Sequence, residues 1–269
     1  MGMANIFFRS DRVSIFFDFK MIRLIFGNPG SGKTASAVRY MKMNPHKNFI
    51  TNIDVRGKDF RHVIKLTPGM ILKRDQVGSK RNGRPIFNLT LNSEFWKEAL
   101  LKYKALNVII DEAHIFFNPR RSMSKINLIM TDFLALLRRV LGTGNDNGEL
   151  ILISQLSRRL DVIAKEMSTS ISFCLNHYTT RCSHCHSSWS ETNETPDPFL
   201  FCPRCKSYKI KRVKNIIEVF DFRDIDHFMS FKELKSKTYF RRYIIKDIET
   251  IFGNYDTLQF DDLLSGYEN

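Results

Sequence analysis

The chain has 269 residues, 43% of them hydrophobic and 26% charged, with 42 Lys+Arg against 28 Asp+Glu and a net charge of +14. This mix excludes a disordered or collagen-like chain and supports one sizeable α/β core with room for a small insert. A basic surplus of this size selects polyanionic partners, nucleic acid first and an acidic membrane surface second, unless it is only a solvated surface.

Residues 1–20 carry short apolar patches broken by charges and lack the apolar centre of a signal peptide. Met21 stands directly before the first strand-like run, so 1–20 read as an N-terminal extension or a mis-assigned start. No apolar run approaches the length of about 18 residues that a spanning helix needs, so no transmembrane segment of its own is expected. The expected location is the cytoplasm, where paired cysteines hold metal rather than form disulfides.

Ile22 to Phe26 is a mostly apolar run rich in β-formers, and Ala35 to Met41 reads as helix. Between them lies Gly27-Asn28-Pro29-Gly30-Ser31-Gly32-Lys33-Thr34, the pattern G-x-x-x-x-G-K-T between strand and helix. Glycines let the backbone curl so that N–H groups face phosphate oxygens, and the helix N-terminus adds partial positive charge. ATP is the expected ligand, with Lys33 on the β- and γ-phosphates and the Thr34 hydroxyl on Mg²⁺. Residues 70–92 read as two strands around Asn82-Gly83. The tip of that hairpin, Lys80 to Arg84, is basic and faces either DNA or solvent.

Leu106 to Ile110 reads as a buried strand with Asp111 at its C-terminal end, where open α/β sheets place ligands. Asp111 is the expected Mg²⁺ acid and Glu112 the base that orients the attacking water. Asp111-Glu112-Ala113-His114 is also the spelling that names a group of helicases. Too little chain follows for the second recA-like domain those enzymes need, so His114 is left as a packed or capping histidine. Leu150 to Ser154 reads as another buried strand, with Gln155 at its tip either sensing the γ-phosphate or capping the strand. The helix predicted next places Leu156, Leu160, Ile163, Ala164 and Met167 on one face.

These pieces together resemble the FtsK–HerA division of P-loop ATPases. More narrowly they resemble the Zot-like morphogenesis and packaging ATPases of filamentous phages and archaeal viruses. The resemblance covers roughly residues 21 to 180. It rests on "GNPGSGKTASAV", the strand "NFITNID" ending in Asn52, "VIIDEAHIFFNPR", and an Arg-rich helix leading into "GELILISQLSRRLD". It implies a ring, usually a hexamer, with an arginine entering the neighbouring subunit's site. Arg138 and Arg139, closing the helix over 126–140, are the favoured pair, with Arg120, Arg121, Arg158 and Arg159 as rivals. Two departures stand out: phage Zot proteins carry a membrane-spanning segment, and as a rule they lack the cysteines described next.

Cys182, Cys185, Cys202 and Cys205 form C-x₂-C-x₁₆-C-x₂-C, the spacing of a tetrahedral Zn²⁺ site, with redox pairs as the alternative. The polar stretch between the pairs reads as ribbon loop, and His184 and His186 are substitute ligands. Cys174 reads as core. The exit of the ribbon, residues 205–214, carries five Lys/Arg and a tyrosine, which suits a phosphate backbone, a structural staple or a subunit contact. In the C-terminal part, Phe240, Ile244, Ile248 and Ile251 fall at helical spacing and predict an amphipathic helix over 237–252.

The organisation expected is an extension over 1–20, a P-loop ATPase core over 21–180, a zinc-ribbon insert over 181–210, and 211–269 completing the core with a helical tail. The fold class expected is a P-loop NTPase (recA-like) with a mostly parallel sheet flanked by helices. The leading function is an ATP-hydrolysing motor that translocates double-stranded DNA and packages a viral or mobile-element genome in the host-cell cytoplasm. The alternatives are a membrane-associated extrusion ATPase, with a capsid or membrane partner supplying the anchor, and a slowly hydrolysing nucleotide-dependent scaffold.

Overall fold

The computed structural model describes residues 22–79, 82–83, 85–103, 105–115, 117, 125–141, 148–155, 162–195, 200–233, 238–246 and 248–256. In chain order these form β1 (Ile22–Phe26), α1 (Lys33–Met43), β2 (Asn48–Thr51), β3 (Val63–Lys65), α2 (Pro68–Ile71), β4 (Leu72–Ser79), β5 (Pro85–Leu91), α3 (Ser93–Lys102) and β6 (Leu106–Ile110). Then follow α4 (Lys125–Leu141), β7 (Leu150–Ser154), α5 (Val162–Glu166), β8 (Ser170–Cys182), β9 (Ser188–Thr192), β10 (Ile210–Phe222), α6 (Ile225–Glu233), β11 (Arg241–Ile245) and α7 (Glu249–Phe252).

Strands β1, β6 and β7 are mostly apolar, broken by Arg23, Asn107 and Ser154, because both of their faces are covered. They sit in the middle of a sheet ordered β11-β10-β8-β1-β7-β6-β2-β3, with β9 added beside β8. From β8 to β3 every pairing is parallel, and β10 and β11 close the other side antiparallel. Alternate residues feed two cores. Leu24, Phe26, Val108, Ile110 and Leu152 meet Trp96 of α3, Phe133 and Leu137 of α4 and Phe228 of α6. On the other face Ile25, Ile109, Ile151 and Ile153 meet Ala37, Val38 and Met41 of α1 and Ile251 of α7. Trp96 is fully buried, its ring 5.0 Å from Phe133 and 5.3 Å from Phe95. Helix α3 starts where Asn92 Oδ1 accepts the Phe95 N–H at 3.3 Å, an ordinary Asn cap.

The hairpin expected over 70–92 forms from β4 and β5 as a separate two-stranded sheet, with Gly83 at φ 77 in the turn. Its basic tip residues Lys80, Arg81 and Arg84 lie outside the described residues, as do Arg120, Arg121, Arg158 and Arg159.

The helix expected over 237–252 does not form. Residues 241–245 are β11, paired antiparallel with β10, and only Glu249–Phe252 is helical. Helical spacing had grouped Phe240 and Ile244 with Ile248 and Ile251. In the structure Phe240 is 37% and Ile244 45% exposed, while Ile245, Ile248 and Ile251 are buried. The β-forming run Tyr243-Ile244-Ile245 and the open edge of β10 decide the matter, since a strand satisfies that edge and a helix cannot. Glu218 of β10 ties the edge together, holding His177 of β8 at 2.7 Å and Arg242 of β11.

Strands β8 and β10 are 13 residues each. They pair from Ile171↔Phe222 in the sheet out to Cys182↔Ile210, with one register shift between Arg212 and Lys214. Beside β1 the pairing of β8 ends at Phe26↔Phe173, so the rest of β8 projects beyond the end of β1 as an arm. Part of the stretch expected to be ribbon loop is the strand β9, which pairs with β8 from His177↔Thr192 to Arg181↔Ser188. Thus β8 and β10 pass unbroken from the sheet to the cysteines.

Candidate functional site

The C-terminal ends of β1, β6, β7 and β2 bring one set of polar side chains together. Gly27 to Gly32 bridges β1 and α1, and Gly32 takes φ 86, a conformation that L side chains rarely adopt. A Cβ there would collide with the Ile217 side chain of β10. At Gly27 a Cβ would meet the Cys174 carbonyl at 2.7 Å. Helix α1 has no side-chain cap and no acidic residue in its first turn, so its N-terminal N–H groups are open to an anion. Lys33 Nζ lies in the same loop, donating to the carbonyls of Gly27 at 2.9 Å and Asn28 at 3.2 Å. Burial pushes its ammonium down, against the attraction of Asp111. An uncapped helix start, a glycine cradle and one buried ammonium fit a phosphate chain.

Thr34 Oγ1 donates to Asp111 Oδ2 at 2.6 Å. These two oxygens are the hard ligands a Mg²⁺ site uses. Burial raises the Asp111 carboxyl, and the Thr34 hydrogen bond opposes it. A divalent cation here would offset the cost of a buried carboxylate. Asn52, just beyond β2, brackets the Asp111 peptide: its Nδ2 donates to Asp111 O at 3.0 Å and its Oδ1 accepts the Asp111 N–H at 2.8 Å.

Glu112 follows with φ 51, a left-handed conformation that turns its side chain off the strand direction. Its Oε1 accepts from Gln155 Nε2 at 3.0 Å, and its Oε2 lies 3.1 Å from His114 Nδ1. Partial burial alone would raise the Glu112 carboxyl, but the His114 and Gln155 side chains outweigh it and hold it below its ordinary value. An ionised carboxylate, oriented by Gln155 with the His114 ring beside it and next to the Thr34–Asp111 pair, is equipped to accept a proton from water. With β7 lying between β1 and β6, this is the architecture of a P-loop ATPase.

Arg138 and Arg139 are not brought to this site. They are exposed in the last turn of α4, whose neighbour Leu141 packs against Gly148 near the start of β6. That is the opposite end of the parallel strands from the phosphate loop, so neither arginine reaches it within one chain.

The four cysteines meet at the tip of the arm, their Sγ atoms all within 4.8 Å of one another. Cys182 to Cys205 and Cys185 to Cys202 are each 3.6 Å apart. A tetrahedral zinc with Zn–S near 2.3 Å calls for S–S separations of about 3.8 Å, so the set fits. The His184 N–H donates to Cys182 Sγ at 3.3 Å. Burial raises the Cys202 thiol, but the Ser187 hydroxyl and the Cys205 and Arg204 N–H groups bring it down to about 6. His184 and His186 are not members of the cluster. Around it the surface is basic and aromatic, with Leu200 and Tyr208 exposed and Lys206 5.2 Å over the Phe201 ring.

Sequence reasoning assigned no role to Asn52, His114 or the arm residues Asn176, Tyr178 and Glu194. For Asn52 the signal was available: a lone amide at the end of the strand next to the Asp-Glu strand. For the others it was not, because their partners are set by tertiary register.

A family model described as "Zonular occludens toxin (Zot)" matches residues 21–178. Among solved structures, the N-terminal domain of zonular occludens toxin from Neisseria meningitidis is similar at 15% identity, over 88% of this chain and 99% of that one, with TM-score 0.48. The genome packaging NTPase B204 from Sulfolobus turreted icosahedral virus 2, in complex with ATP-gammaS, is similar at 15% identity over 58% and 74% of the two chains, with TM-score 0.33. A search of curated proteins returned no match.

Proposed function

The chain belongs to the zonular occludens toxin (Zot) family, and from that premise we propose that it is an ATP-driven motor that moves double-stranded DNA, packaging a viral or mobile-element genome. The observation that carries the reading is the pairing of Thr34–Asp111 with the oriented Glu112 beside the phosphate loop. A pure nucleotide binder has no use for a carboxylate held ionised at that position.

In this reading Gly27–Thr34 cradles the phosphates and Lys33 leaves its loop carbonyls for the β- and γ-oxygens. Thr34 and Asp111 hold Mg²⁺, which supplies neutralisation of the phosphate charge. Glu112 orients the attacking water and takes its proton. Gln155 transfers its N–H from Glu112 to the γ-phosphate and so reports whether that group is present. The subunits form a ring, with Arg138 or Arg139 offered to the neighbour's site, a geometry that their distance from their own phosphate loop favours. The net charge of +14 and the basic arm tip, holding zinc on Cys182, Cys185, Cys202 and Cys205, supply the DNA contact. The site of action is the host-cell cytoplasm, and no helix among the described residues is long and apolar enough to cross a membrane.

The test is ATP turnover at low salt with and without double-stranded DNA. Stimulation by DNA, with turnover lowered about 10²–10⁴-fold in Glu112→Gln, is the expected result. Turnover indifferent to DNA removes the motor and leaves the extrusion or scaffold readings. Co-sedimentation with membrane fractions, irrespective of DNA, identifies the former.

A further inference from the structure

The arm does more than carry cysteines: it is seated on the phosphate loop. Where β8 runs past the end of β1, Asn176 Nδ2 donates to the Gly30 carbonyl at 2.9 Å and the Tyr178 hydroxyl to the same oxygen at 3.3 Å. Glu194, in the turn after β9, accepts from Asn28 Nδ2 at 3.1 Å. That turn is itself locked to β8. Asn193 Oδ1 accepts the Asn176 N–H at 2.8 Å, and the Asn193 N–H donates back to Asn176 O at 3.0 Å. Ile217 of β10 packs where Gly32 has no Cβ. The loop residues between the two fixed glycines are therefore held from outside by three elements of the arm.

The same strand face leads to the thiols. Asn176, Tyr178, Thr180 and Cys182 alternate along β8, so all four point to one side. Thr180 Oγ1 bonds Glu191 of β9 at 3.4 Å, continuing the line of contacts. Four residues of strand, about 13 Å, separate the Tyr178 contact with the loop from the first cysteine. The register of β8, β9 and β10 at the loop is the register that a metal at the tip would pin. Arg212 of β10, 4.1 Å over the Tyr178 ring, lies between the two.

We propose that Asn176, Tyr178 and Glu194 are positioning residues for the phosphate loop, so that metal on the four cysteines and nucleotide on Gly27–Thr34 each strengthen binding of the other. The proposal rests on the readings of those two sites given above. Coupling of this kind is reciprocal: whatever factor zinc adds to nucleotide affinity, nucleotide adds to zinc affinity.

The experiment uses the full chain. Bound zinc and the Kd for a fluorescent Mg·ATP analogue are measured first; a chain that binds either one less than stoichiometrically ends the readings and the proposal together. With both bound, the analogue is titrated before and after zinc removal, and zinc transfer to a colorimetric chelator is timed with and without a non-hydrolysable ATP analogue. Zinc removal is expected to weaken nucleotide binding about 5–150-fold, and nucleotide to slow zinc transfer. The double variant Asn176→Ala, Tyr178→Phe is expected to keep its zinc, to bind nucleotide as weakly as the zinc-free chain, and to lose little more when zinc is removed. If zinc removal costs the variant as much affinity as it costs the wild type, the coupling does not run through these residues and the proposal fails. If nucleotide leaves zinc transfer unchanged while both ligands bind, it fails as well.

Discussion

Two backbones meet at Gly30, and they are held by opposite means. The phosphate loop hangs from β1, whose Ile22, Leu24 and Phe26 are 1% exposed or less and packed under α3, α4 and α6. Apolar burial fixes it, at about 25 cal/mol per Å². The arm beyond Asn176 has almost no core. Its alternate residues are polar, and its tip converges on four sulfur atoms. One side of the contact owes its shape to hydrophobic packing. The other owes its shape to strand pairing among β8, β9 and β10 and to polar side-chain contacts, with little apolar packing beneath it.

The sharpest way to break that contrast is at the tip. Cys182→Ser together with Cys202→Ser is expected to abolish zinc binding, an interaction with an apparent strength of about 10–16 kcal/mol in small zinc-folded modules. Limited proteolysis should then cut within 182–210 while the main thermal transition persists; retention of a full equivalent of zinc would overturn the assignment. Trp96→Ala tests the other side. It should cost about 3–5 kcal/mol in denaturant unfolding and leave zinc content unchanged. Asn52→Ala removes the bracket on the Asp111 peptide and leaves a buried N–H unpaired. A loss of about 1–3 kcal/mol is expected, with turnover requiring more Mg²⁺. The smallest effect belongs to His114→Ala. His114 helps hold the Glu112 carboxyl down, so its removal lets that carboxyl rise. The acidic limb of the turnover profile should move to higher pH, with little change near neutrality. An unmoved limb would make His114 a packing residue only.

How much of this was legible depended on how local the cause was. Leu106–Ile110 and Leu150–Ser154 announce themselves as runs that are apolar but for Asn107 and Ser154, as strands buried on both faces tend to be, and Asp111 and Gln155 follow at their tips. Cysteine spacing carries its chemistry in the same local way. By contrast, the contact of Asn176 with Gly30 spans 146 residues of chain and exists only because β8 pairs with β1 in one register. His114 meets Glu112 only because Glu112 adopts a left-handed backbone, which no spacing rule foretells. Around Ile244 the periodicity itself misled: the spacing of four apolar residues matched a helix, while the unpaired edge of β10 demanded a strand.

That edge strand has a consequence for solubility. β11 satisfies the hydrogen-bonding groups of β10 from Ile217 to Asp221 and presents Arg242, tied to Glu218, to the outside. Removed, it would leave an uncovered strand carrying Val219 and Phe220, a template onto which another chain's edge can add. A truncation ending before Arg241 would keep the phosphate loop, the Asp-Glu pair and the cysteines, yet be expected to polymerise edge to edge.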